Sequence, residues 1–230
     1  MKLLPYRLSL RTVLVILLGL LGSLQTVAAD HDDGWIDLFD GKTLDGWRSY
    51  TGSEPPPGWR VEDGMIHFAD GKGDLMTEAE YADFELELEW KVAEGGNSGI
   101  FYLATTGHDA IYMGAPEMQV LDDAVHRDGG DPLTSAGAAY GLYPAPRGVV
   151  KTAGEWNAVR IRILGNDVEH WLNGERIVSY TLGSAEWRDL VANSKFDEWP
   201  MYGMARRGHI GLQDHGDPVW YRKLRIRSLH

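Results

Sequence analysis

Apolar and polar residues alternate in short stretches along most of the chain after residue 34. In the longest stretch, from Phe84 to Val92, every second residue is apolar, and the residues between are three glutamates and a lysine. A period of two predicts a β-strand with one buried face. The acidic row predicts that the opposite face of this strand lies in water.

Turn residues separate these stretches. Glu62-Asp63-Gly64 and Asn173-Gly174 are tight-turn sequences that predict hairpins. The glycine-rich turn Gly95–Gly99 leads into another apolar stretch, Ile100–Leu103. We predict that this stretch is a strand that pairs with strand 84–92.

One helix is predicted, from Ala185 to Ala192, after Ser184, whose hydroxyl can cap the first turn. About a dozen short strands, with no regular alternation of strand and helix, favour two packed antiparallel sheets. The predicted fold class is therefore all-β: a two-sheet antiparallel jelly-roll sandwich with one short helix toward the C-terminal third.

Residues 1–29 have the pattern of a secretory signal peptide. Three basic residues precede the apolar run Val13–Leu21, and Val27-Ala28-Ala29 supplies small residues for cleavage before Asp30. A membrane anchor would need about 20 apolar residues, but polar residues interrupt this run. We therefore expect a periplasmic or secreted protein, without a membrane partner after cleavage, in which residues 30–230 form a single domain.

Composition narrows the function classes. Removing the three basic residues of the leader takes the formal net charge from −12 to −15, which argues against nucleic acid as a partner. The chain has no cysteine, so thiolate catalysis and zinc–thiolate sites are excluded. Nine Trp and ten Tyr are compatible with stacking on sugar rings, although aromatic residues also fill sandwich cores.

The stretch Gly208–Gly216 contains the first candidate site. Strand alternation places Ile210 and Leu212 on one face. The other face carries two imidazoles, an amide and a glycine: His209, Gly211, Gln213 and His215. A glycine between imidazole and amide side chains leaves room for a ligand against the backbone, so we predict that this face is the floor of a binding site.

A second polar cluster begins at Glu117. Alternation along the strand Glu117–Leu121 places Glu117 and Gln119 on one face, with Asp122 at the strand end. The segment from Asp123 to Val150 is rich in Gly, Ala and Pro and contains Tyr140. Loops of this length are commonly functional. We expect the two polar clusters to converge over the hollow face of one sheet.

Several motifs together carry a resemblance to a known family. They occur in order across the chain from residue 38: Leu38-Phe-Asp-Gly-Lys-Thr-Leu-Asp-Gly-Trp47, Trp59-Arg-Val-Glu-Asp-Gly64, Gly96-Asn-Ser-Gly-Ile-Phe101, Glu117-Met-Gln-Val-Leu-Asp122, Gly154-Glu-Trp-Asn157, Leu172-Asn-Gly174 and Gly208-His-Ile-Gly-Leu-Gln-Asp-His-Gly216. In this order they resemble the 3-keto-disaccharide hydrolase family, whose members have a concanavalin- or laminin-G-like jelly roll. One departure is Lys223, where the family more often has Asn; Arg222 still matches.

The resemblance implies an unusual route to glycosidic bond cleavage. A partner sugar 3-dehydrogenase first oxidises the 3-hydroxyl to a ketone, which makes the C2 hydrogen acidic. A base then removes the C2 proton, the group at C1 leaves, and water adds to the resulting enone. Such a reaction needs a base near C2, a group that stabilises the enolate oxygen, and an acid for the leaving group.

The candidate roles follow from that chemistry. A histidine, with an ordinary pKa of about 6.5, can act as a base at neutral pH, so His215 or His209 is the expected base. Glu117 is expected either as the second acid or base or, with Asp122 and His215, as part of a divalent cation site (Ca²⁺ or a similar ion) that polarises the ketone. The substrate-binding candidates are Asn97, Gln119, Tyr140, Gln213 and Arg222. Lys195 is a weaker candidate.

Two other function classes stay open on the sequence alone. A conventional glycosidase needs two carboxyl groups about 5–10 Å apart; Glu117 and Asp122 could supply them, but an offset of five residues on a straight strand points them to opposite faces. A non-catalytic carbohydrate-binding module is the other alternative, because a fold does not fix a function.

Overall fold

The computed structural model describes residues 34–229, so the predicted signal peptide lies outside the described residues. Within residues 34–229, thirteen strands form two antiparallel sheets, and these sheets account for nearly all of the regular structure. The predicted two-sheet antiparallel sandwich is confirmed.

The larger sheet has eight strands in the order β11-β10-β9-β6-β13-β4-β3, with β1 pairing on β13. Its strands are β1 (Trp35–Asp37), β3 (Trp59–Glu62), β4 (Met65–Phe68), β6 (Phe84–Val92), β9 (Asn157–Leu164), β10 (Asp167–Leu172), β11 (Glu175–Thr181) and β13 (Val219–Ser228). Both predicted hairpins are present, as β3–β4 and β10–β11. Asp63 and Asn173 adopt positive φ in their turns, a conformation that Asp and Asn tolerate better than most residues.

The smaller sheet has five strands in the order β2-β5-β12-β7-β8. They are β2 (Trp47–Ser49), β5 (Leu75–Thr77), β7 (Asn97–Ala104), β8 (Glu117–Leu121) and β12 (His209–Leu212). The predicted pairing of strand 100–103 with strand 84–92 is wrong, because β6 and β7 belong to different sheets. The glycine-rich turn carries the chain from one layer of the sandwich to the other.

The hydrophobic core lies between the two sheets. It receives Leu86, Leu88 and Trp90 from β6 on one side and Ile100, Tyr102 and Met118 from the smaller sheet on the other. Because alternate residues on β7 and β8 face this core, the remaining residues of those strands face outward over the smaller sheet. The candidate site lies on this outward face.

The sequence predicted that the acidic row on β6 is a simple solvated face, and this prediction is wrong. Each glutamate is paired with basic residues of β13: Glu85 with Arg227, Glu87 with Arg225, and Glu89 with Arg222 and Lys223. Glu85 is buried by these neighbours. The reason is that β13 lies next to β6 and presents basic residues at the matching positions, a long-range pairing that alternation alone does not reveal.

Helical structure is limited to one α-helix and three 3₁₀ turns among the described residues. The helix α1 (Ala185–Ala192) begins after Ser184, whose hydroxyl oxygen accepts a hydrogen bond from the Trp187 amide, as predicted. The 3₁₀ turns are Ile111–Met113, Arg127–Gly130 and Lys195–Glu198. No helix within residues 34–229 is long and apolar enough to cross a membrane.

Candidate functional site

A pocket of about 170 Å³ opens on the outward face of the smaller sheet. It is lined by eight side chains: Asn97, Tyr112, Glu117, Gln119, Tyr140, Lys195, Gln213 and His215. Six of these were predicted from sequence as site residues, and they come from segments up to 118 positions apart. The structure therefore brings Glu117 and His215 into one pocket. A larger cleft, of about 800 Å³, lies on the other sheet, where Glu87 and Glu89 are already held by basic residues.

Glu117 is the carboxylic acid of the pocket. It lies opposite Phe101 across β7 and β8, and its carboxyl group extends over Gly99, where a methyl group would stand 2.7 Å from the carboxyl carbon. The side chain is buried. Burial raises its pKa to about 8, although the positive charge of Lys195 partly opposes that rise. The group is therefore mainly protonated at neutral pH.

Among the described residues of the lining, His215 is the only imidazole, and its side chain is 45% exposed. The Asn97 side-chain amide lies 3.4 Å from Nε2 and donates to it in the neutral imidazole that carries its proton on Nδ1. Nδ1 lies 3.9 Å from a carboxylate oxygen of Asp217. This arrangement turns Nε2 toward Asn97 and the pocket.

The loop that carries His215 is fixed by carboxylates. Asp214 accepts hydrogen bonds from the backbone amides of Gly73 and Gly216, and its own amide donates to Asp74. Burial, with the nearby charge of Asp214, raises the pKa of Asp74 to about 6. The residue next to His215 is thereby tied to the start of β5.

The pocket amides differ in how many of their polar atoms are engaged. Gln119 donates from its side chain to the Thr134 carbonyl and accepts from the Val120 amide, so it supports the wall of the pocket. The side-chain carbonyl oxygen of Asn97, Oδ1, is buried without a hydrogen-bond partner among the described residues. Gln213 is held by its backbone, whose amide donates to the Gly99 carbonyl. Asn97 and Gln213 therefore offer hydrogen-bonding groups to a ligand.

Tyr140 and Lys195 form the wall beside Glu117. The predicted long loop runs along the edge of β8, and the Tyr140 amide donates to the Glu117 carbonyl. Burial raises the pKa of Tyr140. The ammonium of Lys195 lies 4.5 Å from the centre of the Tyr140 ring, held there by a 3₁₀ turn whose Phe196 stacks on Tyr202 at 4.1 Å.

Three predicted site residues lie outside the pocket. His209 hydrogen bonds to the Ala79 carbonyl and lies 3.4 Å from Glu80. The predicted ligand space over Gly211 is instead filled by Ile111, whose Cδ1 would be 2.5 Å from a methyl group at that position. This apolar side chain occupies the face between His209 and the pocket. The prediction of one continuous polar face over residues 209–215 is therefore wrong.

Arg222 is on the other sheet. Its guanidinium donates to Glu89 and stacks on Trp156 at 3.9 Å. Because it belongs to the outer face of β13, its predicted role in substrate binding is not compatible with this pocket.

Asp122 does not line the pocket, and its carboxylate accepts hydrogen bonds from the backbone amides of Gly95 and Ala124. The predicted cation site of Glu117, Asp122 and His215 does not assemble. No cluster of three histidines and carboxylates suited to a metal ion occurs among residues 34–229.

Sequence reasoning missed two residues of the site. Tyr112, on a 3₁₀ turn, lines the pocket, and Asp217 lies beside His215. Asp217 also accepts a hydrogen bond from the backbone amide of Asn97. Its closeness in sequence to His215 was a usable signal. Tyr112 carried none, because an isolated tyrosine in an irregular segment has no periodic pattern.

Comparison with known proteins places these features in context. The profile of the 3-keto-alpha-glucoside-1,2-lyase-like domain matches residues 34–227. A 3-keto-disaccharide hydrolase of Bacteroides thetaiotaomicron is 42% identical over 229 residues, a match that covers 86% of this chain and 79% of that protein.

Solved structures give the same picture of the fold. A crystal structure from Parabacteroides distasonis, provisionally described as a glycosyl hydrolase, has 32% identity and a TM-score of 0.80, covering 86% of this chain and 94% of that one. A Bacillus subtilis protein with a galectin-like fold has 12% identity and a TM-score of 0.53, covering 79% and 89%. The second likeness concerns the fold alone and is consistent with the predicted jelly roll, which is confirmed.

Proposed function

The chain belongs to the 3-keto-alpha-glucoside-1,2-lyase-like family, and we propose that its pocket cleaves 3-keto-glycosides by proton abstraction, elimination and hydration. Family membership makes the protein a carbohydrate-active hydrolase. The observation that carries the finer proposal is the pairing of a buried, protonated carboxyl group with a solvent-accessible imidazole in one polar pocket.

In the first step, Nε2 of His215 gives up its hydrogen bond from Asn97 and takes the proton from C2 of the 3-keto sugar. The electron pair of the C2–H bond moves toward the ketone, and negative charge develops on the oxygen at C3. Lys195 is the one cationic side chain in the pocket lining among the described residues. It supplies positive charge for that oxygen in a site where burial strengthens electrostatic interactions.

In the second step, the bond between C1 and the leaving oxygen breaks, and a C1–C2 double bond forms. Glu117 gives its proton to the departing oxygen. A carboxyl group that is still protonated at neutral pH suits this role, because an acid with a pKa near the working pH is the most effective donor.

In the third step, water adds to C1 of the enone. Glu117, now a carboxylate, accepts a proton from the water, and His215 returns a proton to C2. The products are 3-keto-glucose and the free alcohol or sugar, so one water is consumed. Both residues end in their starting protonation states.

The pocket gives less support to the alternatives. A two-carboxylate glycosidase would need a second carboxyl group, whereas Glu117 is the one carboxylic acid in the described lining. A binding module has no need for a buried, protonated acid, since burial of such a group is costly without a compensating role.

The proposal includes the setting of the reaction. The signal-peptide pattern of residues 1–29 supports export to the periplasm or beyond. The substrate would come from a sugar 3-dehydrogenase that oxidises the 3-hydroxyl. The proposed steps use side chains of this chain and one water molecule.

The decisive experiment follows the C2 hydrogen. The purified protein is incubated in D₂O with a methyl glucoside and with its 3-keto derivative, and the products are examined by NMR. Cleavage of the keto sugar alone, with deuterium at C2 of the product, is expected. Cleavage of the unoxidised glucoside would favour the conventional glycosidase, and cleavage of neither would favour the binding module. Keto-sugar cleavage without C2 exchange or a C2 isotope effect would disprove proton abstraction.

A further inference from the structure

The size of the pocket limits which part of a substrate it holds. Sites for small molecules commonly measure about 300–1,000 Å³, whereas this pocket measures about 170 Å³. Asn97 and Gln213 in its lining suit the hydroxyl-rich keto sugar. The group that leaves from C1 must then lie outside the pocket, against its rim.

One part of the rim is apolar and rigidly built. Tyr112 lines the pocket with 38% of its surface exposed. The residue before it, Ile111, is fully buried against Gly211 and anchors the 3₁₀ turn to the sheet. The Tyr112 ring also packs edge-to-face on Trp199, with ring centres 5.4 Å apart.

The segment that carries Trp199 lies beside this part of the rim, since its Trp199 ring contacts Tyr112. It begins at Lys195, which lines the pocket, and it is tied to the Tyr112 segment by a hydrogen bond from the Gly203 amide to the Gly114 carbonyl, 2.9 Å long. Met201 and Met204, in the same segment, are 60% and 53% exposed. Exposed methionines are unusual on a polar surface, and they are common where proteins bind apolar ligands of varied shape.

Resting on the function proposed above, we infer that Tyr112, Trp199, Met201 and Met204 form a shelf that binds the leaving group, and that this group is apolar and contains a ring. The two methionines cannot donate a hydrogen bond, so the hydroxyls of a second sugar would lack protein donors where they lie against those two side chains. A flat apolar group would instead bury the exposed methionine and tyrosine surface.

The test compares benzyl and methyl 3-keto-glucosides of the same anomeric form, which both release simple primary alcohols. The unmodified protein should show a kcat/KM for the benzyl glycoside about tenfold above that for the methyl glycoside, mainly through KM. Met201→Ser with Met204→Ser, and separately Tyr112→Ala, should bring this ratio to within about twofold of one. Ile36→Ser is the matched control, because Ile36 is equally exposed on β1 of the other sheet and should leave the ratio unchanged.

The outcomes separate the two proposals. If both glycosides are cleaved with equal efficiency, or if the ratio survives the Tyr112 and methionine substitutions, the shelf is refuted while the proposed reaction stands. If neither 3-keto-glycoside is cleaved by the unmodified protein, the proposed function is wrong, and the shelf loses its role with it.

Discussion

Glu117 owes its protonation state to its place in the sheet. It projects outward from β8, yet the loop that carries Tyr140 and the side chain of Lys195 cover it. Burial then favours the neutral form. An exposed glutamate on the same strand would be ionised at pH 7 and could not give a proton to a leaving group.

Replacement of this acid should depend on the leaving group. Glu117→Gln keeps the shape of the side chain but cannot donate a proton as an acid. We expect kcat for a methyl 3-keto-glucoside to fall about 10²- to 10⁴-fold, the usual contribution of a general acid. For a nitrophenyl 3-keto-glucoside, whose leaving group needs no protonation, the loss should be much smaller. Equal losses for both substrates would show that Glu117 is not the acid.

His215 should control the hydrogen at C2. His215→Asn removes the basic nitrogen from a half-exposed side chain, so we expect the fold to survive and the rate of C2 exchange in D₂O to fall about 10²-fold or more. His209→Asn is the control, because His209 lies outside the pocket and should leave exchange within about twofold. Exchange that persists in the His215 variant would assign the base to another group.

At the scale of elements, the position of the Glu117 carboxyl group depends on two neighbouring strands, because Glu117 on β8 lies beside Gly99 on β7. Gly99 leaves space for the Glu117 carboxyl group, and a methyl group at Gly99 would enter that space. Since the conflicting atoms belong to the end of a long side chain, the strand itself can remain in register. Gly99 is therefore a positioning residue for Glu117.

Gly99→Ala should accordingly reduce activity more than stability. We expect kcat/KM to fall at least about tenfold, as displaced catalytic groups commonly cause, with Tm lowered by only a few degrees. Gly130→Ala is the control, because an added methyl group there meets no neighbour and Gly130 does not need a positive φ. A Gly99→Ala protein with full activity and the unmodified pH profile would contradict this role.

The elements also show how far the sequence could be interpreted. Alternation predicted β6, β8 and β12, and the cap at Ser184 predicted α1, because periodicity and capping are local properties. The pairing of β6 with β13 was not predictable, since it joins residues more than 130 positions apart. Alternation defines which residues share a face, but it does not identify the sheet to which a strand belongs.

The prediction of the candidate site was also correct where it depended on local patterns and wrong where long-range packing decided the outcome. Strand alternation and motif resemblance grouped Glu117, Gln119, Gln213 and His215, and these do line one pocket. His209 was grouped with them because alternation places it on the same strand face as Gln213 and His215. The side chain that separates it from them, Ile111, comes from a distant irregular turn, and no local pattern indicates that such a turn folds back over the sheet.

At the scale of the whole molecule, the pocket lies on the smaller sheet, and the ion pairs between β6 and β13 lie on the larger sheet. Arg225 donates from two guanidinium nitrogens to one carboxylate oxygen of Glu87 on the outer face of the larger sheet, away from the pocket. A double-mutant cycle with Glu87→Gln and Arg225→Gln should give a coupling free energy of unfolding below about 1 kcal/mol, reduced further in 1 M salt. Both variants should keep full kcat/KM. A change in activity would indicate communication between the sheets.

Two buried groups should shape the pH dependence of stability in opposite directions. The His170 ring lies between the Tyr102 hydroxyl and the Gly137 carbonyl. Burial there lowers its pKa from 6.5 to about 4. Below pH 6.5 the unfolded chain takes up a proton that the folded protein refuses, so stability falls as the pH drops toward 4.

Glu117 acts in the opposite direction. Its pKa rises from 4.5 when unfolded to about 8 when folded, so the folded protein holds a proton that the unfolded chain releases, and stability falls as the pH rises through this window. Each group contributes a slope of up to about 1.4 kcal/mol per pH unit. Between pH 4.5 and 6.5 the two slopes oppose each other. Thermal denaturation across pH 4–9 should show Glu117→Gln removing the loss of Tm between pH 6.5 and 8 and exposing a loss below pH 6.5, while His170→Gln, although less stable, extends the alkaline loss down to about pH 4.5. If both variants kept the unmodified profile, these two groups would not be the source of the pH dependence.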